Sequence, residues 1–202
     1  KDGGNVQVFS LSASSDRMQK IRRQRPSSLL ARKIILVEGK TEYGMLLQLM
    51  EQWDEERSAS GLSTSAGEGV AVQDAGGGSE VAPRAMELLK LGYEVIGFMD
   101  NDDRSVDFEV KAAENAGVHI VRWDPGMNTE NQICAKLDAS ELQSLVDIAV
   151  DLRGDTDTVL NDLMSAGLGK SNKTICISDW SDNGNGETNT KKNIEIVRTA
   201  AN

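Results

Sequence analysis

The chain has 202 residues, of which 39% are hydrophobic and 27% charged, and its formal net charge is −10. A chain of this length can bury one substantial hydrophobic core, or one core with a small satellite domain. Neither a disulfide scaffold nor a fibrous structure is therefore needed to explain how it folds. No apolar run approaches the roughly 20 residues that span a bilayer, and no secretory signal is recognisable. We therefore expect a cytoplasmic protein without a membrane partner, in which the distant Cys134 and Cys176 are reduced thiols.

Residues 1–28 are predicted to be an N-terminal arm or linker that follows a preceding domain. Apolar and polar residues alternate over residues 5–11, as in an edge strand, and the chain starts without Met, which indicates an excised piece. A basic segment over residues 17–25 ends at Pro26 and supplies positive charge that the acidic chain otherwise lacks. It is either a solvated linker helix or a contact to the DNA backbone. The candidate DNA-binding residues are Lys20, Arg22, Arg23 and Arg25.

Residues 29–126 are predicted to form an α/β core around a parallel sheet. Short, largely apolar segments predict strands at 33–37, 70–74, 93–99 and 118–123. Helices are predicted to begin near residue 40 and to cover residues 80–91 and 108–116. This alternation is typical of a parallel sheet covered on both faces. The residues of the first helix expected to face the core are Met45, Leu46, Leu49, Met50 and Trp53.

Residues 127–202 are predicted to form a helical subdomain added to the sheet. Its helices are expected at 130–137, 140–152, 156–166 and 191–200, with one short strand at 174–177. Trp180 is expected to be a core residue, and it is also the best candidate for an exposed residue that stacks on a base.

Three carboxylates follow predicted strands directly. Glu38 comes after the first strand, and Asp100 and Asp102 come after the third. The carboxyl ends of parallel strands meet at one edge, where ligands bind in open α/β sheets. Carboxylates gathered there repel one another unless a hard cation such as Mg²⁺ or Mn²⁺ neutralises them. A purely structural cluster would need arginine partners, and Arg104 is the one arginine of the neighbouring loop.

The amino-acid sequences of these segments resemble the motifs of a known family. Residues 37–42 (VEGKTE), the glycine turn at 76–78 and residues 98–103 (FMDNDD) resemble the glutamate and Asp-x-Asp motifs of Toprim domains. The second glutamate of the first motif, the Arg-Pro pair before the first strand and Asn128-x-Glu130 resemble the C-terminal nuclease region of the overcoming lysogenization defect (OLD) family. The resemblance is close over residues 20–135 and looser beyond them.

The resemblance implies a nuclease that nicks or cuts DNA with two divalent cations, Mg²⁺ or Mn²⁺, with Ca²⁺ able to bind in their place. One ion would activate a water and the other would stabilise the leaving oxygen, at a separation of roughly 4 Å. It also implies an ATPase domain N-terminal in the same polypeptide, through which the protein would oligomerise. Glu38, Asp100 and Asp102 are the expected catalytic residues. The candidate metal ligands are Glu38, Glu42, Asp100, Asp102, Asp103 and Glu130.

The remaining expectations concern the substrate. Gly39 and Gly77 are candidates for bringing backbone amides close to a phosphate, although ordinary turns contain the same glycines. The family also implies a lysine that stabilises the transition state, for which Lys170, Lys191 and Lys192 are available unless it lies beyond residue 202.

Two alternatives stay open: another Toprim activity, topoisomerase-like or primase-like, and a non-catalytic Mg²⁺-dependent module that binds a nucleotide or nucleic acid. Strand passage would need an attacking tyrosine, from Tyr43 or Tyr93.

Overall fold

The chain divides into two units, Lys1–Gly126 and Met127–Asn202. The computed structural model describes residue 19, residue 23 and residues 26–168, 173–180 and 187–201. The edge strand predicted at 5–11 lies outside these residues, as do Lys20, Arg22, Arg25 and Lys170. Arg23, the one described arginine of the basic segment, is exposed. None of the helices in the described ranges combines the length and apolar character that crossing a bilayer requires.

The first unit is built on a four-stranded, fully parallel sheet with the order β2-β1-β3-β4. The strands are β1 (Lys33–Val37), β2 (Val70–Asp74), β3 (Glu94–Met99) and β4 (His119–Arg122). Val37 pairs with Asp74 and Phe98, and Met99 pairs with Arg122. The carboxyl ends of the strands therefore meet at one edge. The predicted parallel α/β fold is confirmed.

Helices cover both faces of this sheet. They are α1 (Lys40–Ala59), α2 (Gly78–Lys90) and α3 (Asp107–Ala116). Successive side chains of a strand point to opposite faces, so Ile34 and Leu36 pack in one core with residues of α2 and α3. Val37 packs on the other face, in a core that includes residues of α1. The uninterrupted apolar run of β1 reflects this burial on both faces.

The C-terminal half of α1 departs from the sequence-based expectation. Met45, Leu46 and Met50 pack against the sheet, but Trp53 is 47% exposed, so its predicted core position is wrong. The 20 residues of α1 are about 30 Å long, whereas the five residues of β1 extend about 17 Å. The helix is therefore longer than the sheet it covers.

The second unit is helical, as predicted. Its helices are α4 (Thr129–Lys136), α5 (Ala139–Arg153), α6 (Thr156–Ser165) and α7 (Glu187–Ala201). Leu142, Leu163 and Trp180 belong to its core. Trp180 is 1% exposed, and its Nε1 donates to the Thr174 carbonyl oxygen at 3.0 Å. Its predicted role in exposed base stacking is therefore wrong, because the indole ring is buried in the core.

The strand predicted at 174–177 is also wrong. Residues Ile177–Asp179 form a short 3₁₀ helix, and the described part of the second unit contains no strand that could pair with this segment. Side chains satisfy its amides instead, since the Ile177 N–H donates to Gln143 Oε1 at 2.7 Å and the Cys176 N–H donates to Thr174 Oγ1 at 3.0 Å. Cys134 and Cys176 are free thiols, as expected.

Candidate metal centre

Glu38 is the first residue after β1, and main-chain amides hold its carboxylate. Its Oε2 accepts a hydrogen bond from the N–H of Asp100, the first residue after β3, at 3.0 Å. The N–H of Gly78, at the start of α2, also donates to this carboxylate. The neighbouring strand and the following helix therefore fix the Glu38 side chain at the carboxyl edge of the sheet.

The start of α2 can approach Glu38 because residue 78 is glycine. A Cβ atom at this position would lie 2.9 Å from Glu38 Oε1, closer than real Cβ contacts. Gly77 precedes it with φ +131°, a conformation that residues with a side chain rarely adopt. The glycine turn thus allows both the sharp entry into α2 and the hydrogen bond to the glutamate.

Four acidic residues line one cavity of about 190 Å³ at this edge of the sheet. They are Glu38, Asp100, Asp102 and Asp103. Gly78, Ser79, Met99 and Val106 complete the lining. The structure thus brings together Glu38, Asp100 and Asp102, the three residues that the sequence assigns to the acidic edge. We call this space the acidic cavity.

The acidic cavity is electrostatically unfavourable for an ionised Glu38. Burial raises the pKa of this carboxyl above its ordinary value of 4.5, and the negative charges of Glu42 and Asp102 raise it further. The amides of Asp100 and Gly78 oppose this shift without cancelling it. A cation in the cavity would favour the ionised carboxylate, because opposite charge stabilises the charged form.

The donor set of the acidic cavity suits a hard cation, since Mg²⁺ and Mn²⁺ prefer carboxylate oxygens. Within the described residues, however, no group of three or more His, Cys, Asp and Glu side chains is arranged to hold an ion. The acidic residues line one cavity without forming such a group, so coordination of one ion by three of them would require their side chains to move. Asp102 is exposed and forms no hydrogen bond with any described residue, which leaves it able to do so.

Two further candidate ligands are engaged in helix capping. Glu42 is 4% exposed, and its Oε2 accepts a hydrogen bond from the Gly39 N–H at 2.9 Å in the first turn of α1. Asp103 accepts hydrogen bonds from the N–H and Oγ of Ser105, which lower the pKa of the aspartate. Glu42 does not line the acidic cavity and acts on it through charge, whereas Asp103 lines it with a carboxylate that already has partners.

The amides of the two candidate substrate-binding glycines are engaged within the protein. The Gly39 N–H donates to Glu42, and the Gly77 N–H donates to the Glu38 carbonyl oxygen at 2.8 Å. In this arrangement neither amide is open to a phosphate. Both glycines shape turns beside Glu38, and their geometry matches the ordinary role of glycine there.

The other candidates lie in the second unit. Glu130 is in the first turn of α4 and lines a separate, mainly apolar cavity of about 340 Å³ with residues such as Ile133 and Leu145. Lys191 and Lys192 belong to α7, where Lys192 is exposed, while the side chain of Lys191 is outside the described part of the structure.

Arg122 is a residue near the site that the sequence analysis missed. It ends β4, and its guanidinium donates to the Asp100 carbonyl oxygen at 3.1 Å and pairs with Asp107 at 2.6 Å. The available signal was its position at the end of the strand next to β3. Arg104, the arginine that the sequence analysis considered, forms no hydrogen bond or ion pair through its side chain with a described residue.

One comparison with known protein families gave a match. The family model described as "Overcoming lysogenization defect protein-like, TOPRIM domain" matches residues 29–102, which contain β1, β2, β3, Glu38, Asp100 and Asp102. No curated protein and no solved structure matches the chain. Toprim domains generally belong to enzymes that act on nucleic acids, and they generally bind divalent metals. Residues 29–102 of this chain are therefore an OLD-like Toprim region.

Proposed function

We propose that the chain is a metal-dependent endonuclease that hydrolyses phosphodiester bonds of DNA at the acidic cavity. The observation that carries this proposal is the gathering of Glu38, Asp100 and Asp102 around one cavity, with Glu38 desolvated beside negative charge. Such a cavity favours binding of a cation, and a cation beside a phosphodiester is the common basis of its hydrolysis by metalloenzymes. The OLD-like Toprim match supports an activity on nucleic acid.

Glu38, Asp100 and Asp102 are our proposed ligands for Mg²⁺ or Mn²⁺. Bound ions would polarise the phosphate and lower the pKa of a bound water. Glu38 provides a ligand held in place by two amides, and Asp102 provides an exposed ligand that can rotate. Glu42, Asp103 and Glu130 are secondary candidates, and the family resemblance favours two ions.

Positive charge beside the acidic cavity supports a nucleic-acid substrate. Lys40 lies two residues after Glu38, and Arg104 follows Asp103 directly. Both side chains are exposed, and neither has a hydrogen bond or ion pair with another residue of the described ranges. Exposed cations next in sequence to the cavity residues can contact phosphates even though the net charge is −10. The arm residues Lys20, Arg22, Arg23 and Arg25 are proposed to add to this contact.

The family resemblance extends the proposal beyond the cavity. We include an ATPase domain in the same polypeptide, oligomerisation through that domain, and a cytoplasmic location. Lys191 and Lys192 are the proposed sources of a transition-state charge. These elements rest on the resemblance alone, and the contacts of the acidic cavity are independent of them.

A plasmid-nicking assay tests the proposed activity. The purified chain is incubated with supercoiled DNA in Mg²⁺, Mn²⁺, Ca²⁺ or EDTA, beside Glu38→Gln and Asp100→Asn. Glu114→Gln is the matched control, because it removes one exposed carboxylate from α3 outside the acidic cavity. We expect nicking in Mg²⁺ or Mn²⁺ that both site variants lose and the control keeps. Equal nicking by the site variants and the wild-type chain would refute the assignment.

A non-catalytic Mg²⁺-dependent binding module is the second candidate. It would use the same acidic cavity to hold Mg²⁺ without hydrolysing the bound nucleic acid. Metal binding by the wild-type chain without nicking would support it. Strand passage by a tyrosine is disfavoured, because the Tyr93 hydroxyl donates to the Leu29 carbonyl oxygen at 2.7 Å and Tyr43 packs against the sheet. Burial also raises the pKa of Tyr93, which makes its phenolate less accessible.

A further inference from the structure

Arg122 joins β4 to both ends of the loop that carries Asp100, Asp102 and Asp103. Its Nε donates to the Asp100 carbonyl oxygen at 3.1 Å, and its Nη2 donates to the Asp103 carbonyl oxygen at 3.3 Å. Its Nη1 donates to Asp107 Oδ1 at 2.6 Å. One side chain therefore contacts the start of this loop, its end, and the first residue of α3.

The guanidinium is well suited to this role. Its side chain is 16% exposed, so it is largely removed from water, and its donors are fixed in one plane. Lysine has one nitrogen and cannot reproduce three donors at three separated acceptors. A change of Arg122 to Lys should therefore keep the charge and lose most of the loop contacts.

The hydrogen bonds of Arg122 go to main-chain carbonyl oxygens and to Asp107. Asp107 does not line the cavity, although the charge of Arg122 also lowers the pKa of the cavity residue Asp103. An arginine paired with Asp100 or Asp102 through their carboxylates would compete with a cation. The arrangement instead holds the main chain on both sides of Asp102 and leaves the Asp102 side chain without a partner among described residues.

We infer that Arg122 is a positioning residue for the metal site, acting by fixing the main chain of residues 100–107 so that Asp100 and Asp102 face the acidic cavity. Arg122 itself does not line the acidic cavity. This inference rests on the proposed function, because it assigns a role within the same site. Residues that orient metal ligands typically change metal affinity by about 10–100-fold when they are replaced.

The test is the dissociation constant for Mn²⁺, measured by electron paramagnetic resonance of free Mn²⁺ on the 202-residue chain at a temperature at which each protein is folded by circular dichroism. Arg122→Gln removes all three contacts. Arg57→Gln is the matched control, because Arg57 donates to the Ser63 carbonyl oxygen at 2.7 Å on another loop of the same unit. We expect Mn²⁺ binding to weaken at least tenfold in Arg122→Gln and to stay within twofold in Arg57→Gln.

Two further variants keep the inference testable if Arg122→Gln does not fold. Arg122→Lys keeps the positive charge and should still lose affinity about tenfold. Asp107→Asn removes the ion pair but leaves the bonds to the carbonyl oxygens, so its loss should be smaller than that of Arg122→Lys. Wild-type affinity in Arg122→Lys, or an equal loss in Asp107→Asn, would overturn the inference. Absence of Mn²⁺ binding by the wild-type chain would instead refute the proposed metal site itself.

Discussion

The two loops that build the acidic cavity are held in opposite ways. After β1, the carboxylate of Glu38 itself is fixed, by the amides of Asp100 and Gly78. After β3, the main chain is fixed instead, since Asn101 donates to the Trp123 carbonyl oxygen and accepts from the Gly126 N–H, both at 2.8 Å. The Asp102 side chain remains exposed on this held loop. The site therefore combines one rigid carboxylate with one that can adjust.

This difference explains why the cavity is acidic without a preformed coordination sphere. A rigid, desolvated Glu38 is unfavourable next to other negative charges, which raise its pKa. In the proposed site, an adjustable Asp102 would let the carboxylates lie apart until a cation draws them together. Substitutions can separate a rigid position 38 from an adjustable position 102.

The largest expected effect comes from changing side-chain length at the two positions. Glu38→Asp should lose nicking as completely as Glu38→Gln, by about 100-fold or more, because a shortened carboxylate cannot keep its amide donors and reach a metal. Asp102→Glu should lose less than tenfold, since an exposed side chain can accommodate one more methylene, whereas Asp102→Asn should lose most activity. Rates of plasmid nicking in Mn²⁺ measure both. Equal losses in Glu38→Asp and Asp102→Glu would contradict the contrast.

Gly78→Ala should displace Glu38 and weaken Mn²⁺ binding by about tenfold, the lower end of what orienting groups contribute. The added Cβ would lie 2.9 Å from Glu38 Oε1. The matched control is Gly44→Ala in α1, where a Cβ meets nothing within 4 Å. That control should stabilise the chain by about 1 kcal/mol through helix propensity and leave metal binding unchanged. Wild-type Mn²⁺ affinity in Gly78→Ala would show that Glu38 is not held rigidly.

The raised pKa of Glu38 gives a pH dependence with a definite sign. The folded state binds this proton more tightly than the unfolded state, so the metal-free chain loses stability as pH rises through 4.5 towards the folded-state pKa. Glu38→Gln removes the ionisable group and with it this loss of stability, so its Tm in EDTA at pH 7.5 should be higher than that of the wild-type chain. The difference in Tm between the two proteins should shrink as pH falls towards 4.5.

Binding of Ca²⁺ should reverse the order of the melting temperatures of the wild-type chain and Glu38→Gln. At a Ca²⁺ concentration of about 100 times Kd, binding stabilises the wild-type chain by about 2.7 kcal/mol, or about 5–10 °C in Tm, and Glu38→Gln should gain little. Differential scanning fluorimetry with and without EDTA measures both effects. A lower Tm for Glu38→Gln in EDTA at pH 7.5 would contradict the raised pKa.

The smallest expected effect concerns the exposed cations Lys40 and Arg104. Lys40→Gln and Arg104→Gln should each weaken DNA binding a few-fold and reduce the slope of log K against log salt by about 1. The control is Lys111→Gln on α3, which removes one exposed charge away from the cavity lining. Fluorescence anisotropy with labelled DNA between low and moderate salt provides the slopes. Identical slopes in all four proteins would remove Lys40 and Arg104 from the proposed interface.

Much of the fold follows from local pattern. The apolar runs at β1 and β2 mark buried strands, and the sequence placed both at the residues that the structure shows. The gathering of Glu38, Asp100 and Asp102 could also be expected, because parallel strands bring their carboxyl ends to one edge. These features depend on period and topology, which a single sequence carries.

Other features depend on contacts between distant residues and could not be predicted. Two hydrogen bonds connect residues that follow or end different strands. The Asp100 N–H donates to Glu38, and the Arg122 guanidinium donates to the Asp103 carbonyl oxygen. The error at Trp53 has the same origin, since helical spacing does not reveal that α1 is longer than the sheet. The segment at 174–177 has a strand-like composition, but no strand in the described part of its unit is available to pair with it.

The most direct test of the central claim is Mn²⁺ binding to the wild-type chain and to a Glu38→Gln/Asp100→Asn double variant, with free Mn²⁺ followed by electron paramagnetic resonance. The account predicts saturable binding to the wild-type chain, competed by Mg²⁺, and loss of that binding in the double variant while the far-ultraviolet circular dichroism spectrum stays the same. Undiminished Mn²⁺ binding by a folded double variant would contradict the assignment of the acidic cavity as the metal site.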